Sequence, residues 1–335
     1  MEALRSVRRT QTWMDTAVTV EVVANAASPS APSTSAASTS GDATASTAHP
    51  SPVGTDCEDA VARAFAWFRH VEAACSRFEP ESELCRLTRS PGVAVQASPL
   101  LFQAVRLAVQ VAAVSGGAFD PAVGSRMEAR GFDRNYRTGG RQRSGIRPDA
   151  AGCWRDVELD EHGQTITLRR PLLLDLGGLA KGLAIDLALR ELAGFPGGAV
   201  EAGGDLAVRG VSVRGGPWRI GVRHPRRSDA LYTWLDVVDG AVCTSGDYER
   251  RAPCGADGGG HHLDGRTDRV ASEVASCTVV APNAVLADAL GTAATVLGPR
   301  RGLAWLRRQG VEALLLTPTL EPFATAGFRR LARCL

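Results

Sequence analysis

Hydrophobic positions along this chain follow the period of strands in some segments and the period of helices in others. Residues 17–23, AVTVEVV, alternate and are rich in valine, which predicts a strand. In residues 57–78, apolar side chains at 61, 64, 65, 68 and 71 fall on one face of a helix. The chain therefore opens with a strand and then a helix, separated by a segment of different composition.

The rest of the chain continues this irregular alternation. Helices are predicted at 98–115, about 179–193, 283–298 and 299–309, and strands at 155–160, 164–169, 171–175, 197–210, 218–225, 276–282 and 311–317, with 241–252 running from a strand into a turn. Strands and helices do not alternate regularly, and several strand pairs look antiparallel. This order indicates an α+β fold with a mixed or antiparallel sheet and flanking helices.

Residues 24–55 interrupt the pattern with a tract of Ala, Ser, Thr and Pro. Such a tract has too few apolar side chains to offset the entropy lost on ordering, so it is predicted to be disordered. Because a strand precedes it, we interpret it as an insertion within a single domain of residues 1–335. A second polar loop is predicted at 134–145.

Composition narrows the class of protein. The chain has 335 residues, 44% hydrophobic and 22% charged, with a net charge of +2, which is typical of a globular protein and gives no case for nucleic-acid binding. No apolar run has the length of a signal sequence or membrane span, so a cytoplasmic location is expected. The eight cysteines show no CxxC spacing, which argues against zinc and redox sites and favours reduced thiols.

The segment 175–186, DLGGLAKGLAID, contains the only lysine among 38 basic residues. Where arginine fills every other basic position, Lys181 suggests a site that needs a compact point charge. Gly177 and Gly178 would let the backbone approach a ligand closely, and the following helix N-terminus favours an anion. The alternative is an ion pair between Asp175 and Lys181 across a tight turn.

A second candidate is ADALGTA, in which Asp288 and Thr292 lie one helical turn apart on the same face. A carboxylate and a hydroxyl are hard oxygen ligands suited to Mg²⁺. The alternative is a solvated aspartate with a threonine that only fills space. The surrounding stripe is nearly all apolar, so a buried Asp288 would need a partner, and a metal would serve.

The segment GGGHHLDG places His261 and His262 beside an aspartate. No third ligand with metal spacing is near, so zinc is not expected, but a general base is possible. GGAFDP and EAGGDL are each typical of a turn. The chain lacks GxGxxG, GxxxxGK[ST] and GxSxG, which removes the corresponding nucleotide and hydrolase sites.

Taken together and in this order, the segments resemble the FAD:protein FMN transferase family, also called ApbE. The resemblance rests on MDTAVTVEV, CSRFEPESELCRL, SGGAFDPAVG, LLLDLGGLAKGLAID, VEAGGDLAVRG, AVCTSGDYERR, HHLDGRT and TVVAPNAVLADALGTAATVLG. It implies a single ApbE-like, T-fold-like domain that requires Mg²⁺. Members move the FMN portion of FAD onto a threonine or serine hydroxyl of a partner protein and release AMP.

The resemblance also implies roles for particular residues. The FAD site would be lined by Met14, Phe78, Ala118, Phe119, Asp120, Asp175, Lys181 and Leu263. Asp288 and Thr292 would bind Mg²⁺ through side chains, with backbone oxygens of Gly178 and Gly291. His261 would be the base for the acceptor hydroxyl, and Lys181 would offset charge on the pyrophosphate.

The chain departs from the family at four positions. Asp15 stands where the family usually has glycine, Thr88 where asparagine is common, Gly265 in place of a proline, and Phe78 where tyrosine is frequent. Two other functions remain open with the same site. One is hydrolysis of FAD to FMN and AMP, and the other is FAD binding without turnover.

Overall fold

A twisted antiparallel sheet forms the centre of the protein, which we describe from a computed structural model covering residues 3–26, 52–134, 139–147, 152–248 and 260–333. The eight strands lie in the order β1-β2-β6-β7-β10-β11-β12-β13 and every neighbouring pair is antiparallel. Their bounds are β1 Leu4–Trp13, β2 Thr16–Asn25, β6 Gly197–Ala202, β7 Asp205–Gly210, β10 Gly240–Gly246, β11 Ser276–Ala281, β12 Glu312–Leu316 and β13 Pro322–Ala324.

Two smaller antiparallel sheets accompany it. One contains β3 Val95–Gln96, β4 Val157–Asp160 and β5 Thr165–Leu168, and the other is the hairpin of β8 Trp218–Arg223 and β9 Leu231–Val237. The helices are α1 Pro52–Cys75, α2 Glu83–Thr88, α3 Pro99–Val114, α4 Gly124–Ala129, α5 Ala180–Arg190, α6 Ala284–Leu297, α7 Pro299–Arg308 and α8 Ala326–Leu331. The α+β prediction is confirmed.

Strand alternation gives the large sheet two different faces. Along β2, Val18, Val20 and Val22 are fully buried in the main core, which includes residues of α1, α3, α5 and α6. Thr19 and Glu21, between them, point to the opposite face and are only partly buried. On that opposite face the β8–β9 hairpin covers β7, β10 and β12 and forms a second apolar cluster.

Helices α5 and α6 pack at very short range, because α5 carries a glycine at the contact. A Cβ at Gly182 would lie 2.5 Å from the carbonyl oxygen of Ala284. One turn later, the Asp186 carboxylate accepts hydrogen bonds from the backbone N–H groups of Ala284 and Val285, at 2.7 and 2.9 Å. Asn283 caps Leu286, so three N–H groups at the start of α6 are satisfied.

Several predictions were wrong or incomplete. Residues 171–175 form no strand; Asp175 N–H instead donates to the Pro121 carbonyl, and the Leu173 carbonyl accepts from Gly124. The predicted insertion starts too early and ends too late, because β2 continues to Asn25 and α1 begins at Pro52. Residues 27–51, 135–138 and 249–259, which hold the rest of that insertion and parts of two predicted loops, lie outside the described residues.

Strands β1, β3, β9 and β13 and helices α2, α4 and α8 were not predicted from the sequence. Within the described ranges, no helix has both the length and the apolar character of a membrane span.

The cap on α6 yields a test of this packing. Asp186→Ala removes both acceptors, and we expect the free energy of unfolding to fall by about 1–2 kcal/mol. Asp186→Asn keeps one acceptor oxygen and should lose less. Urea denaturation measures both changes, and an alanine variant as stable as the parent would contradict the cap.

Candidate functional site

The α5–α6 contact lies beside a cavity of about 600 Å³. Its wall includes eleven of the residues predicted for the site. They are Phe78, Ala118, Phe119, Asp120, Asp175, Gly178, Lys181, His261, Leu263, Asp288 and Thr292. Met14 lines a smaller adjoining cavity of about 80 Å³, together with Phe78 and Lys181. Gly291 lies within α6, where its carbonyl accepts a hydrogen bond from the Thr295 hydroxyl at 2.9 Å.

Lys181 stands between two buried carboxylates at the back of this cavity. Its ammonium donates to Asp205 and lies 3.6 Å from Asp288 Oδ2. The side chains of Asp205 and Asp288 are only 4% and 8% exposed. Burial by itself would lower the pKa of Lys181, but the charges of the two aspartates outweigh burial and raise it. The two carboxylates therefore favour the charged form of Lys181.

Each aspartate of this cluster is also held by the backbone. Asp205 Oδ1 accepts from Thr244 N–H at 2.8 Å, and Asp288 Oδ2 lies 3.4 Å from Gly182 N. The buried Cys243 thiol is next to them, and burial, followed by the charge of Asp205, raises its pKa well above the ordinary value. The thiol stays protonated and neutral, so one ammonium faces two carboxylates and the cluster carries a net negative charge.

The glycine bend before α5 faces α6 across the cavity. A side chain at Gly178 would come within 3.1 Å of Thr292 Oγ1 and of the Phe119 ring. A side chain there would need the hydroxyl or the ring to move by a few tenths of an ångström. The Asp288 carboxylate, one turn earlier on α6, lines the same cavity, and a hydroxyl and a carboxylate are hard donors of the kind that Mg²⁺ prefers.

Asp175 supports the bend from outside. Its Oδ1 accepts from Gly177 N–H and its Oδ2 from Arg77 Nε, each at 2.8 Å. Arg77 is 6% exposed, donates a second hydrogen bond to the Phe132 carbonyl and stacks over the Phe78 ring at 4.1 Å. Asp175 therefore pairs with Arg77, whereas Lys181 pairs with Asp205 and Asp288. This differs from the alternative of a direct Asp175–Lys181 ion pair.

Asp120 links the opposite wall of the cavity. Its Oδ1 accepts from Ala122 N–H at 2.8 Å and from Trp154 N–H at 3.1 Å. Gly265 lies against it, and a Cβ there would be 2.4 Å from Asp120 Cβ. Glycine at 265, where the family has proline, thus fits a position without space for a side chain.

The two histidines enter the cavity from the loop that contains Gly265. Their ring centroids are 4.0 Å apart and both line the wall. Asp264, next in this loop, binds Arg266 through its side chain at 2.8 Å. Leu263 packs with Met127 and Phe132 in a small apolar cluster. These contacts fix the loop that presents His261.

The other departures from the family have structural consequences. Met14 and Asp15 form the turn between β1 and β2 with φ of 50° and 59°, a left-handed conformation that favours glycine. Thr88 lies in α2, where its hydroxyl donates to the Leu84 carbonyl, and is not part of the cavity wall.

Asp205 and Arg77 are the site residues that the sequence analysis missed. Asp205 was interpreted as part of a simple GGD turn, and its role comes from Lys181, which lies 24 residues earlier in the chain. Arg77 is one of 37 arginines, and nothing in its local pattern sets it apart.

A carboxylate, a hydroxyl and a buried ammonium thus line one cavity beside a glycine bend. The ApbE family model matches residues 14–315, and the chain belongs to this family. A Rhodobacter capsulatus protein named FAD:protein FMN transferase is 33% identical over 282 residues, covering 81% of this chain and 53% of that protein. The chain thus spans about half the length of that relative.

Other matches extend over more of their relatives. A Treponema pallidum protein of the same name is 31% identical over 303 residues, covering 80% of each chain. The crystal structure of the ApbE protein from Thermotoga maritima superposes with a TM-score of 0.79 at 26% identity, covering 98% of this chain and all of that one. The prediction of an ApbE-like fold is confirmed.

Asp120 makes the stability of this wall depend on pH. Burial raises its pKa from 3.8 to about 6, although two backbone N–H donors and Arg126 act in the opposite direction. Because this pKa is above that of the unfolded chain, the stabilising contribution of the protonated carboxyl is complete below about pH 4 and is lost as the pH rises through about 6.

Asp120→Asn removes this titration. We expect the free energy of unfolding of the variant, relative to the parent, to rise by about 2–3 kcal/mol between pH 4 and pH 7. Denaturation at a series of pH values measures the difference. A difference that stays constant with pH would contradict the raised pKa.

Proposed function

We propose that this chain transfers the FMN moiety of FAD to a serine or threonine hydroxyl of an acceptor protein, with Mg²⁺ and with release of AMP. The proposal rests on one observation, which is that a single cavity of this ApbE-family chain is lined by Lys181, Asp288, Thr292 and the bend at Gly178. Its relatives named FAD:protein FMN transferase support the same activity.

The residues present fit a magnesium ion. The net negative charge around Lys181 would be balanced by a cation, and Asp288, Thr292 and the backbone oxygen of Gly178 supply hard donors. Gly291 belongs to the proposed set through its carbonyl oxygen, which within α6 also accepts from the Thr295 hydroxyl. Bound Mg²⁺ would neutralise charge on the pyrophosphate oxygens during phosphoryl transfer.

His261 is proposed as the general base. It would accept the proton of the acceptor hydroxyl as that oxygen bonds to the FMN phosphorus. The bond from this phosphorus to the bridging oxygen then breaks, and AMP leaves with the bridging oxygen on its phosphate. Lys181 remains protonated throughout and stabilises the negative charge of the phosphoryl group.

The proposed FAD site uses the rest of the wall. Phe78, Phe119 and Leu263 offer aromatic and aliphatic surface, and Ala118 leaves space beside them. Asp120 and Asp175 position two wall segments through the hydrogen bonds described above, and Met14 lies in the turn at the cavity edge.

A cytoplasmic location is part of this proposal. Cys57, Cys75, Cys85, Cys243 and Cys277 are free and buried, and Cys153 is free and half-buried. Free thiols of this kind are typical of proteins in a reducing compartment.

The proposed activity is separated from its alternatives by following AMP. Pure protein is incubated with FAD and Mg²⁺, with and without proteins from a lysate of cells that lack this chain, and acceptors are found by flavin fluorescence in denaturing gels and by mass spectrometry. AMP only with acceptor, together with a covalent FMN adduct, is expected. AMP without acceptor would indicate FAD hydrolysis, and no AMP would indicate a binding protein.

Asp288→Ala tests the metal assignment. Loss of the carboxylate should abolish Mg²⁺-dependent AMP release and the stabilisation of the protein by Mg²⁺ in a thermal melt. Asp160→Ala serves as a matched control, since it removes a carboxylate at the end of β4, outside the cavity wall. Full turnover by Asp288→Ala would remove this residue from the site.

His261→Gln tests the base. We expect a fall of about 10²–10⁴-fold in the transfer rate with unchanged FAD affinity, because a general base acts on the reaction step and not on binding. His262→Gln changes the neighbouring ring and should retain more activity. If the two variants lose equal activity, or if only His262→Gln loses it, the assignment to His261 is wrong.

A further inference from the structure

A groove of about 370 Å³ runs along the open face of the large sheet and joins the main cavity. The two share five wall residues, which are Glu201, Gly204, Arg223, Thr244 and Tyr248. Thr244 N–H binds the same Asp205 that holds Lys181. The groove therefore ends directly at the charged cluster.

The floor of the groove is made of cross-strand rows. In one row Arg8 on β1 faces Glu21 on β2, which faces Ala199 on β6. In the next row Thr19 on β2 faces Glu201 on β6. These side chains are on the face opposite the helices, at the edge of the area that the hairpin covers.

The β8–β9 hairpin forms the wall of the groove and extends beyond it as an exposed apolar surface. Leu231 lines the groove and is 41% exposed, and Trp234 nearby is 43% exposed. Both side chains lie over Gly221, at which a Cβ would come within 2.9 Å of Leu231 and 3.4 Å of Trp234. Exposed apolar side chains that continue a groove indicate contact with a macromolecule more than with a small ligand.

We propose that this groove binds the acceptor protein as an extended segment, which leads its serine or threonine hydroxyl over Gly204 and Thr244 to the cavity. The proposal rests on the proposed function, because transfer requires a protein hydroxyl to reach the FMN phosphorus from the side opposite AMP. The groove joins the cavity at residues of β6, β8 and β10, and neither Phe119 nor Leu263 lines it. An extended chain matches rows of side chains spaced as in a sheet.

Thr19→Trp tests the groove by blocking its floor. The probes are the acceptor protein identified by labelling and a short synthetic peptide centred on its labelled residue. We expect the KM for both to rise at least about tenfold, while the Kd for FAD stays unchanged. Thr167→Trp on β5 is the matched control, since it places the same side chain on a half-buried strand position of another sheet.

Leu231→Ser is the second variant, because replacing a side chain that is 41% exposed has a small cost in folding compared with a core substitution. It should weaken acceptor binding in the same way, and Val238→Ser, an exposed apolar residue 49% accessible, should not. If both groove variants transfer FMN to the acceptor protein as efficiently as the parent does, the docking proposal is overturned, but the proposed transferase activity is not. Weaker FAD binding in either variant would assign the groove to FAD and would also overturn it. A parent protein that releases no AMP would refute the proposed function itself.

Discussion

The short contact between α5 and α6 is the constraint on which the site depends. Because Gly182 has no side chain, the Ala284 carbonyl oxygen lies where a methyl group at position 182 would clash with it. Asp186, one turn further along α5, then reaches the first N–H groups of α6. With the two helices held in this register, Asp288 comes within ion-pair distance of Lys181. A larger side chain at 182 would separate the helices and with them the acidic and basic halves of the cluster.

The charge balance of that cluster is the physical basis for proposing a cation there. Two carboxylates with little solvent exposure surround one ammonium, and their neighbour Cys243 is neutral. An uncompensated buried charge is costly, so a bound cation would stabilise this arrangement. Near an anionic ligand such a cation and Lys181 would act together, which is the electrostatic basis of the proposed phosphoryl transfer.

Sequence reasoning succeeded where the pattern is local. The spacing of Asp288 and Thr292 defines one face of a helix, and that helix is present with both residues at the cavity. It failed where tertiary contacts decide. Residues 171–175 have the leucines of a buried strand, but they are held by single hydrogen bonds to the segment at 121–124 and not by a ladder.

Other features could not be predicted because they carry no local signal. Strand β1 is an edge strand rich in arginine and threonine, so it lacks the apolar alternation by which β2 is identified. Asp205 and Arg77 acquire their roles only from partners far away in sequence, Lys181 and Asp175. The resemblance to a family supplied the site residues that match its motifs, but not these supporting contacts.

The most direct test of the whole account is a crystal structure of the protein with FAD and Mn²⁺, with anomalous diffraction used to locate the metal. The account predicts an anomalous peak between the Asp288 carboxylate, the Thr292 hydroxyl and the glycine bend at Gly178, in contact with the pyrophosphate. A peak elsewhere, or no peak with FAD bound in the cavity, would contradict it.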